Sequence, residues 1–368
     1  MANVELKNIE VIDEKFALIK KVDRTGLKIY NPTEAPFDLY GLIPPTEDEP
    51  FYHRMPLSVA EETSGAVMRL NYHTSGGRVR FKTTSKRVAI FVKMHRIDKM
   101  GHFTLIGSSG FDLYVGENFK CSFMPHISLD DNGYEDIKTI SKNNEMKDVT
   151  INFPLYSGVT ELLIGLDEDA AVEHGSKYRF DKPVVYYGSS ITQGGCASRP
   201  GNCYQNMITR RLNCDYINLG FSGSAKGEKS IRDYIADLNM QAFVLDYDHN
   251  APTLEHLEAT HEVLFKTVRE KNPTLPIVIV PAPRNYYTKE FEDRFDVIKR
   301  TYDNAVKNGD ENVYFVDMHN VLFDFSQDDC TVDGIHPNDL GFRAMANVIG
   351  DALERAFNKD KEMTSGKR

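Results

Sequence analysis

From Pro183 onward, short and nearly continuous apolar runs alternate with stretches of helical period. The runs are Val184–Tyr187, Tyr216–Leu219, Phe243–Tyr247, Ile277–Val280 and Val313–Val316. Being apolar at successive positions, they read as strands covered on both faces. Helices are predicted between and after them at Tyr204–Leu212, Lys229–Asp237, Thr253–Lys271, Thr288–Lys307 and Asp339–Phe357. Strand followed by helix, five times over, predicts a flavodoxin-like α/β domain with a five-stranded parallel sheet and helices on both faces. In such a domain the functional loops follow the carboxyl ends of the strands.

The first half has a different period. Predicted strands are Val67–Tyr72, Arg78–Thr83, Val88–Lys93, Phe111–Gly116, Asp148–Phe153 and Glu161–Leu166, several of them alternating apolar with polar residues. Turn formers such as Ser75-Gly76-Gly77 and Ser108-Ser109-Gly110 separate them. This pattern predicts a β-sandwich, jelly-roll-like, with one wet face per sheet. The polar stretch Val172–Asp181 marks the boundary, giving a β-sandwich domain over 1–178, an α/β domain over 179–360 and a frayed, charged tail over 361–368.

A chain of 368 residues suits two such domains, and its net charge of −10 is spread over both halves. With no basic face, nucleic acid and anionic membrane are not expected as partners, while a homo-oligomer stays open. The N-terminal segment lacks the apolar region of a secretory signal, and no apolar run is long enough to span a bilayer. The five cysteines contain no Cys-x-x-Cys pair, so reduced thiols in the cytoplasm are expected, with Cys196 and Cys203 the one pair able to join. His256 and His261 stand five apart on a predicted helix, the wrong interval for i,i+4 metal ligation, and both are read as surface residues.

Four segments after predicted strands, or before the last helix, carry candidate chemistry. Gly188-Ser189-Ser190-Ile191-Thr192 places a serine in a strand-to-helix turn, though it is not the Gly-x-Ser-x-Gly elbow. Asp333-Gly334-Ile335-His336-Pro337 sets a carboxylate three residues before an imidazole, within reach to orient it as a general base. Asn218–Ser224 and Asp246–Asn250 offer a loop glycine N–H and an asparagine amide, the donors a developing oxyanion needs. Each segment alone also reads as an ordinary turn, cap or loop. Their joint placement on one sheet edge is what points to acyl transfer.

These four segments resemble the blocks of the SGNH hydrolase family, also called GDSL esterases, over about Lys182 to Phe357. The resemblance implies Ser190 as nucleophile, His336 as base, Asp333 as its partner, and Ser190, Gly223 and Asn250 as oxyanion donors. Ser189 stands where the family usually has aspartate, and Asp248-His249-Asn250-Ala251 replaces the usual Gly-x-Asn-Asp. In the first half, Ser109-Gly110-Phe111-Asp112-Leu113-Tyr114 and Leu155–Val159 resemble a β-rich Gly-x-Asp-Leu-Tyr domain found before some SGNH domains. Phe111 and Leu113 alternate as core residues do. Related two-domain enzymes are mostly bacterial, and several act on acetylated carbohydrate.

The expected activity is therefore that of a serine esterase removing a small acyl group, acetyl foremost, from a polar and carbohydrate-like ester, with no cofactor and no metal. His249, Arg284 and Tyr286 follow strand ends on the functional edge and are candidate substrate contacts. Three alternatives stay open. One is an acyltransferase on the same machinery, and another a carbohydrate-binding protein with an inactive hydrolase half. The third is a nucleotide- or flavin-binding protein, against which the Gly188–Gly194 segment lacks phosphate-loop spacing.

Overall fold

The alternating first half pairs into two antiparallel sheets. The computed structural model describes residues 21–126, 128–284, 288–322 and 329–365. In chain order the first half comprises β1 (Leu27–Tyr30), β2 (Asp38–Tyr40), α1 (Leu57–Thr63), α2 (Gly65–Asn71), β3 (Arg78–Thr83), β4 (Arg87–His95), α3 (Leu105–Ser109), β5 (Phe111–Val115), β6 (Asn118–Phe123), β7 (Tyr134–Thr139), β8 (Lys147–Asn152), β9 (Gly158–Asp167) and β10 (Val172–His174). One sheet runs β1-β9-β4-β7; the other runs β10-β3-β8-β5-β6, with β2 also on β3. Inward residues of both, among them Val79, Phe81, Val88, Ile90, Leu113, Ile151 and Ile164, form one buried core.

Of the segment Val67–Tyr72, expected as a strand, Val67–Asn71 belong instead to α2 and Tyr72 is its C-cap. Ser64 caps it, its Oγ accepting the Val67 N–H at 3.1 Å. Val67 and Leu70, one helical turn apart, pack into the core of the second domain rather than into a sheet. The sequence reading did not include β1, β2, β6, β7 and β10: β1, β2 and β10 are only three or four residues long, whereas β6 does alternate, Phe119, Cys121 and Phe123 against Asn118, Lys120 and Ser122. Four of them, β1, β6, β7 and β10, lie at sheet margins. β10 also takes up the start of the polar stretch read as a boundary, pairing antiparallel with β3.

The second half comprises β11 (Val184–Gly188), α4 (Ser190–Gln193), α5 (Tyr204–Leu212), β12 (Tyr216–Gly220), α6 (Lys229–Asp237), β13 (Ala242–Asp246), α7 (Leu254–Lys271), β14 (Ile277–Ile279), α8 (Lys289–Lys307), β15 (Val313–Phe315) and α9 (Asp339–Ser365). The strands form a five-stranded sheet, β12-β11-β13-β14-β15, parallel at every pairing. Val185, Tyr187, Phe243 and Leu245 feed a core on one face, and Val184, Tyr186, Val244 and Val278 a core on the other. That two-sided burial is why the runs are continuous in apolar residues. Thr253 and Thr288 lie just outside α7 and α8 as N-caps. α9 runs on to Ser365, past the point where the charged tail suggested fraying.

Two smaller expectations change. His261 is not a surface residue: it is fully buried, hydrogen-bonded through Nδ1 to Thr301 Oγ1 at 2.8 Å and stacked on Tyr247. His256 is half-buried, with Nε2 2.8 Å from the Lys226 carbonyl. Cys196 and Cys203 are both buried and neither forms a disulfide. Among the described residues no helix is long and apolar enough to cross a membrane.

β12 is an edge strand, and the first domain covers it. Arg54, fully buried, donates to the carbonyls of Asn218 (3.2 Å) and Gly220 (2.5 Å) at one end of β12, and to Leu70 O (2.6 Å). No carboxylate reaches Arg54 among the described residues, and burial pulls its pKa down. At the other end Arg78, also buried, pairs with Asp215, donates to Tyr216 O at 3.1 Å and lies over the Tyr216 ring. The strand β5 makes a third joint. Phe111 and Leu113 point into the sandwich core, while Asp112 points the other way and accepts the Gly201 N–H (2.7 Å) and Arg199 Nη1 (3.1 Å) of the second domain.

Within the sheet, Asp246 at the end of β13 gathers two neighbours: its Oδ2 accepts Thr192 Oγ1 and Tyr204 Oη, each at 2.8 Å. Burial raises its pKa to about 7, against the pull of those two hydroxyls. The folded state therefore holds a proton that the unfolded chain has lost between about pH 4 and pH 7, so stability falls as pH rises through that window. Asp246→Asn keeps an acceptor for both hydroxyls and has no charge to bury. Its stability relative to wild type should rise across that window, by at most about 4 kcal/mol, in thermal unfolding followed at a series of pH values. Arg54→Met should strand the Asn218 and Gly220 carbonyls at the domain interface, the Leu70 carbonyl keeping the His73 N–H, and lose at least about 2 kcal/mol in urea unfolding.

Candidate active site

Strand β11 delivers the nucleophile candidate into a tight turn. A Cβ on Gly188 would sit 2.2 Å from both Asp246 O and Thr192 Oγ1, so glycine alone fits where the strand ends. Ser189 then N-caps α4, its Oγ accepting the Ile191 N–H at 3.1 Å. Serine does here what a short acidic residue also does at a helix start, which accounts for its tolerance at this position. Ser190 becomes the first residue of α4, with Oγ 3.0 Å from His336 Nε2. From the first domain, Tyr156 Oη donates to Ser190 O at 3.0 Å.

His336 sits in the turn before α9. Its Nδ1 lies 2.7 Å from Asp333 Oδ2, while Asp333 Oδ1 accepts the N–H groups of His336 (2.8 Å) and Ile335 (3.0 Å). Partial burial pushes the Asp333 pKa up, but the His336 and Ile335 N–H groups and the imidazole outweigh it and bring it to about 2. An ionised Asp333 can only accept, so the neutral His336 ring carries its proton on Nδ1 and presents a lone pair to Ser190. The Cys196 N–H donates to Pro337 O at 3.1 Å, tying the segment after Ser190 to the histidine turn.

The oxyanion candidates lie beyond β12 and β13. Gly223 has φ +66° and is exposed, and its N–H makes no hydrogen bond among the described residues. The loop around it is fixed by Phe221 N–H to Gly188 O (2.9 Å), Ser224 N–H to Phe221 O (2.9 Å) and Ser222 N–H to Gln193 Oε1 (3.0 Å). Asn250 Oδ1 accepts the Ala225 N–H at 3.4 Å, which commits its oxygen and leaves its amide hydrogens for donation.

The departures from the usual third block build a buried ion cluster. Asp248 accepts the Ala282 N–H (3.1 Å) and stands between Arg284 and Arg294, each at 3.2 Å. Arg284 Nη1 also lies 3.0 Å from His249 Nδ1, and its guanidinium covers the Phe291 ring. Burial, with the Arg284 charge behind it, lowers the His249 pKa to about 3, so this ring is neutral. Of the candidate substrate contacts, Arg284 is thus engaged with Asp248 and His249, and Tyr286 lies outside the described residues.

The structure joins Ser190, His336 and Asp333 in one hydrogen-bonded chain, with Gly223 and Asn250 in loops at the ends of β12 and β13. It also adds residues the sequence reading missed. Gln193 links Ser222 to His73 Nδ1 (3.0 Å) and Leu155 O (3.2 Å) of the first domain. His102, on a first-domain loop, brings Nε2 to 4.0 Å from Asp333 Oδ2 and its ring to 5.6 Å from that of His336. Nothing local marks His102, since its neighbourhood is made by domain packing. For Tyr156 the Leu155–Val159 resemblance was a signal, but it carried no role.

Residues 181–354 match the GDSL-like Lipase/Acylhydrolase family, and residues 27–172 match the N-terminus of SGNH hydrolase-type esterases. No curated protein matches the chain significantly. Among solved structures, a protein named as a GDSL-like lipase from Bacteroides ovatus aligns with TM-score 0.78 and 27% identity over 90% of this chain and 98% of its own. A salicylyl-acyltransferase from a tetracycline biosynthetic pathway aligns with TM-score 0.73 and 18% identity over 91% and 97%. An acetyl xylan esterase from Butyrivibrio proteoclasticus aligns with TM-score 0.56 and 13% identity over 90% and 99%. With both of its domains matched and its fold shared along nearly the whole length, the chain belongs to the SGNH (GDSL-like) hydrolases, in the two-domain form that carries a β-rich Gly-x-Asp-Leu-Tyr domain first.

Proposed function

We propose that the protein is a serine esterase that releases a small acyl group, acetyl foremost, from a polar ester of carbohydrate type. The observation that carries this reading is the continuous chain Ser190 Oγ, His336 Nε2, His336 Nδ1 and Asp333 Oδ2 at 3.0 and 2.7 Å. Ser190 Oγ attacks the ester carbonyl carbon as its proton passes to His336 Nε2. Asp333 holds the imidazolium that forms. The N–H groups of Ser190 and Gly223 and the amide of Asn250 take the negative oxygen. The alkoxide leaves with the proton from His336, and water deprotonated by the same nitrogen then cleaves the acyl-serine. The carbohydrate reading draws on the fold shared with the acetyl xylan esterase and with a family two carbohydrate esterase from Cellvibrio japonicus.

A second reading keeps the acyl-serine and passes the acyl group to an alcohol. It is favoured by the salicylyl-acyltransferase, which superimposes with a higher TM-score than those carbohydrate esterases. The two readings separate when products are analysed with and without an added sugar alcohol: ester formation that outruns release of free acid would select transfer.

Turnover of 4-nitrophenyl acetate should exceed that of the butyrate and octanoate esters, and should fall by on the order of 10⁴ or more in Ser190→Ala. A folded wild type that turns over none of these esters, nor an acetylated oligosaccharide, would remove the esterase reading. Asn250→Ala should lower kcat by about 10²–10³ with a much smaller change in KM, because the amide acts on charge that develops in the transition state.

A further inference from the structure

The loop between β4 and α3 places a second imidazole beside the catalytic candidates, and no step of the proposed hydrolysis uses it. Phe103 is buried against Tyr156, and Thr104 Oγ1 donates to Ser198 O at 2.7 Å, so the backbone on one side of His102 is anchored to the second domain. The His102 side chain itself is 41% exposed and able to reorient. One ligand atom from each of His102, Asp333 and His336 lies within 4.8 Å of the others.

We propose that these three residues form an inhibitory zinc site that bridges the two domains, an inference that takes its functional meaning from the esterase reading above. Two imidazoles and a carboxylate are a donor set that suits Zn²⁺, with water as fourth ligand. Zinc bonds of 2.0–2.2 Å in a tetrahedron set neighbouring ligand atoms about 3.3 Å apart. Here Asp333 Oδ2 is 2.7 Å from His336 Nδ1 and 4.0 Å from His102 Nε2. One distance must open and the other close, each by less than about 1 Å on that geometry, and the exposed His102 can supply the closing movement.

The consequence for catalysis follows from the tautomer. With Asp333 as its partner, His336 carries one proton on Nδ1 and a lone pair on Nε2 that faces Ser190. Zinc needs the Nδ1 lone pair, so the single proton of the neutral ring moves to Nε2 and none is lost. Nε2 is then a donor to Ser190 Oγ and cannot accept its proton. The metal thus silences the base without touching the nucleophile.

The test titrates Zn²⁺ into metal-stripped protein in two assays at neutral pH: 4-nitrophenyl acetate hydrolysis, and competition with a chromophoric zinc indicator. Wild type should be inhibited reversibly, with a chelator restoring activity, and should withdraw about one zinc per chain from the indicator. His102→Ala should retain metal-free activity and weaken both responses by about tenfold or more. His102→Cys, which restores a zinc ligand, should recover much of the loss. Equal inhibition of wild type and His102→Ala would overturn the proposal, as would a wild type that withdraws no zinc from the indicator. The indicator assay needs no turnover, so it decides the site even if the protein hydrolyses no ester.

Discussion

Two buried guanidinium groups hold the strand Tyr216–Gly220, and most of the molecule is arranged around that grip. The strand is the margin of a parallel sheet and would otherwise present unpaired carbonyls to water or to another chain. Arg54 takes the carbonyls near its carboxyl end and Arg78 those near its start. Among the described residues only one of the two has a carboxylate partner, Asp215. Around Arg54 the opposing charge is supplied by carbonyl dipoles, which fixes the donor directions more tightly than a mobile counterion would.

The site inherits this rigidity. The loop that carries Gly223 leaves β12 one residue after the carbonyl that Arg54 holds. Gln193 then connects that loop to His73 and Leu155 of the sandwich, and Tyr156 holds the Ser190 carbonyl. The nucleophile turn and the histidine turn are joined by a backbone hydrogen bond from Cys196 to Pro337. Catalytic geometry of the SGNH kind therefore depends on both domains, although each of the residues placed in the acyl-transfer chemistry belongs to the second.

The α/β half was legible in the sequence because burial on both faces leaves an unbroken apolar run, and because Thr253 and Thr288 announce helix starts. The triad candidates were legible for a different reason: Asp333 and His336 lie three residues apart, and Ser190 follows a strand end directly. What could not be read lies across the domain boundary. Arg54 and His102 have ordinary neighbours in sequence, and their roles come from residues more than 160 and 230 positions away. Val67–Tyr72 misled because a short apolar segment fits a strand or a buried helix equally well, and the Ser64 cap decided the matter. His261 was misplaced because helical position was weighed without the partner helix that supplies Thr301.

The strand Phe111–Val115 serves two constituencies at once. Its even side fastens the neighbouring domain through Asp112 and Tyr114, and its odd side fills the sandwich with Phe111 and Leu113. A period of two thus writes two unrelated contracts into five consecutive letters. Neither half of the molecule is then a portable part. A sandwich grafted from elsewhere would bring a filled interior but the wrong outer letters, and a hydrolase half moved alone would lose its anchor for the Arg199–Gly201 turn.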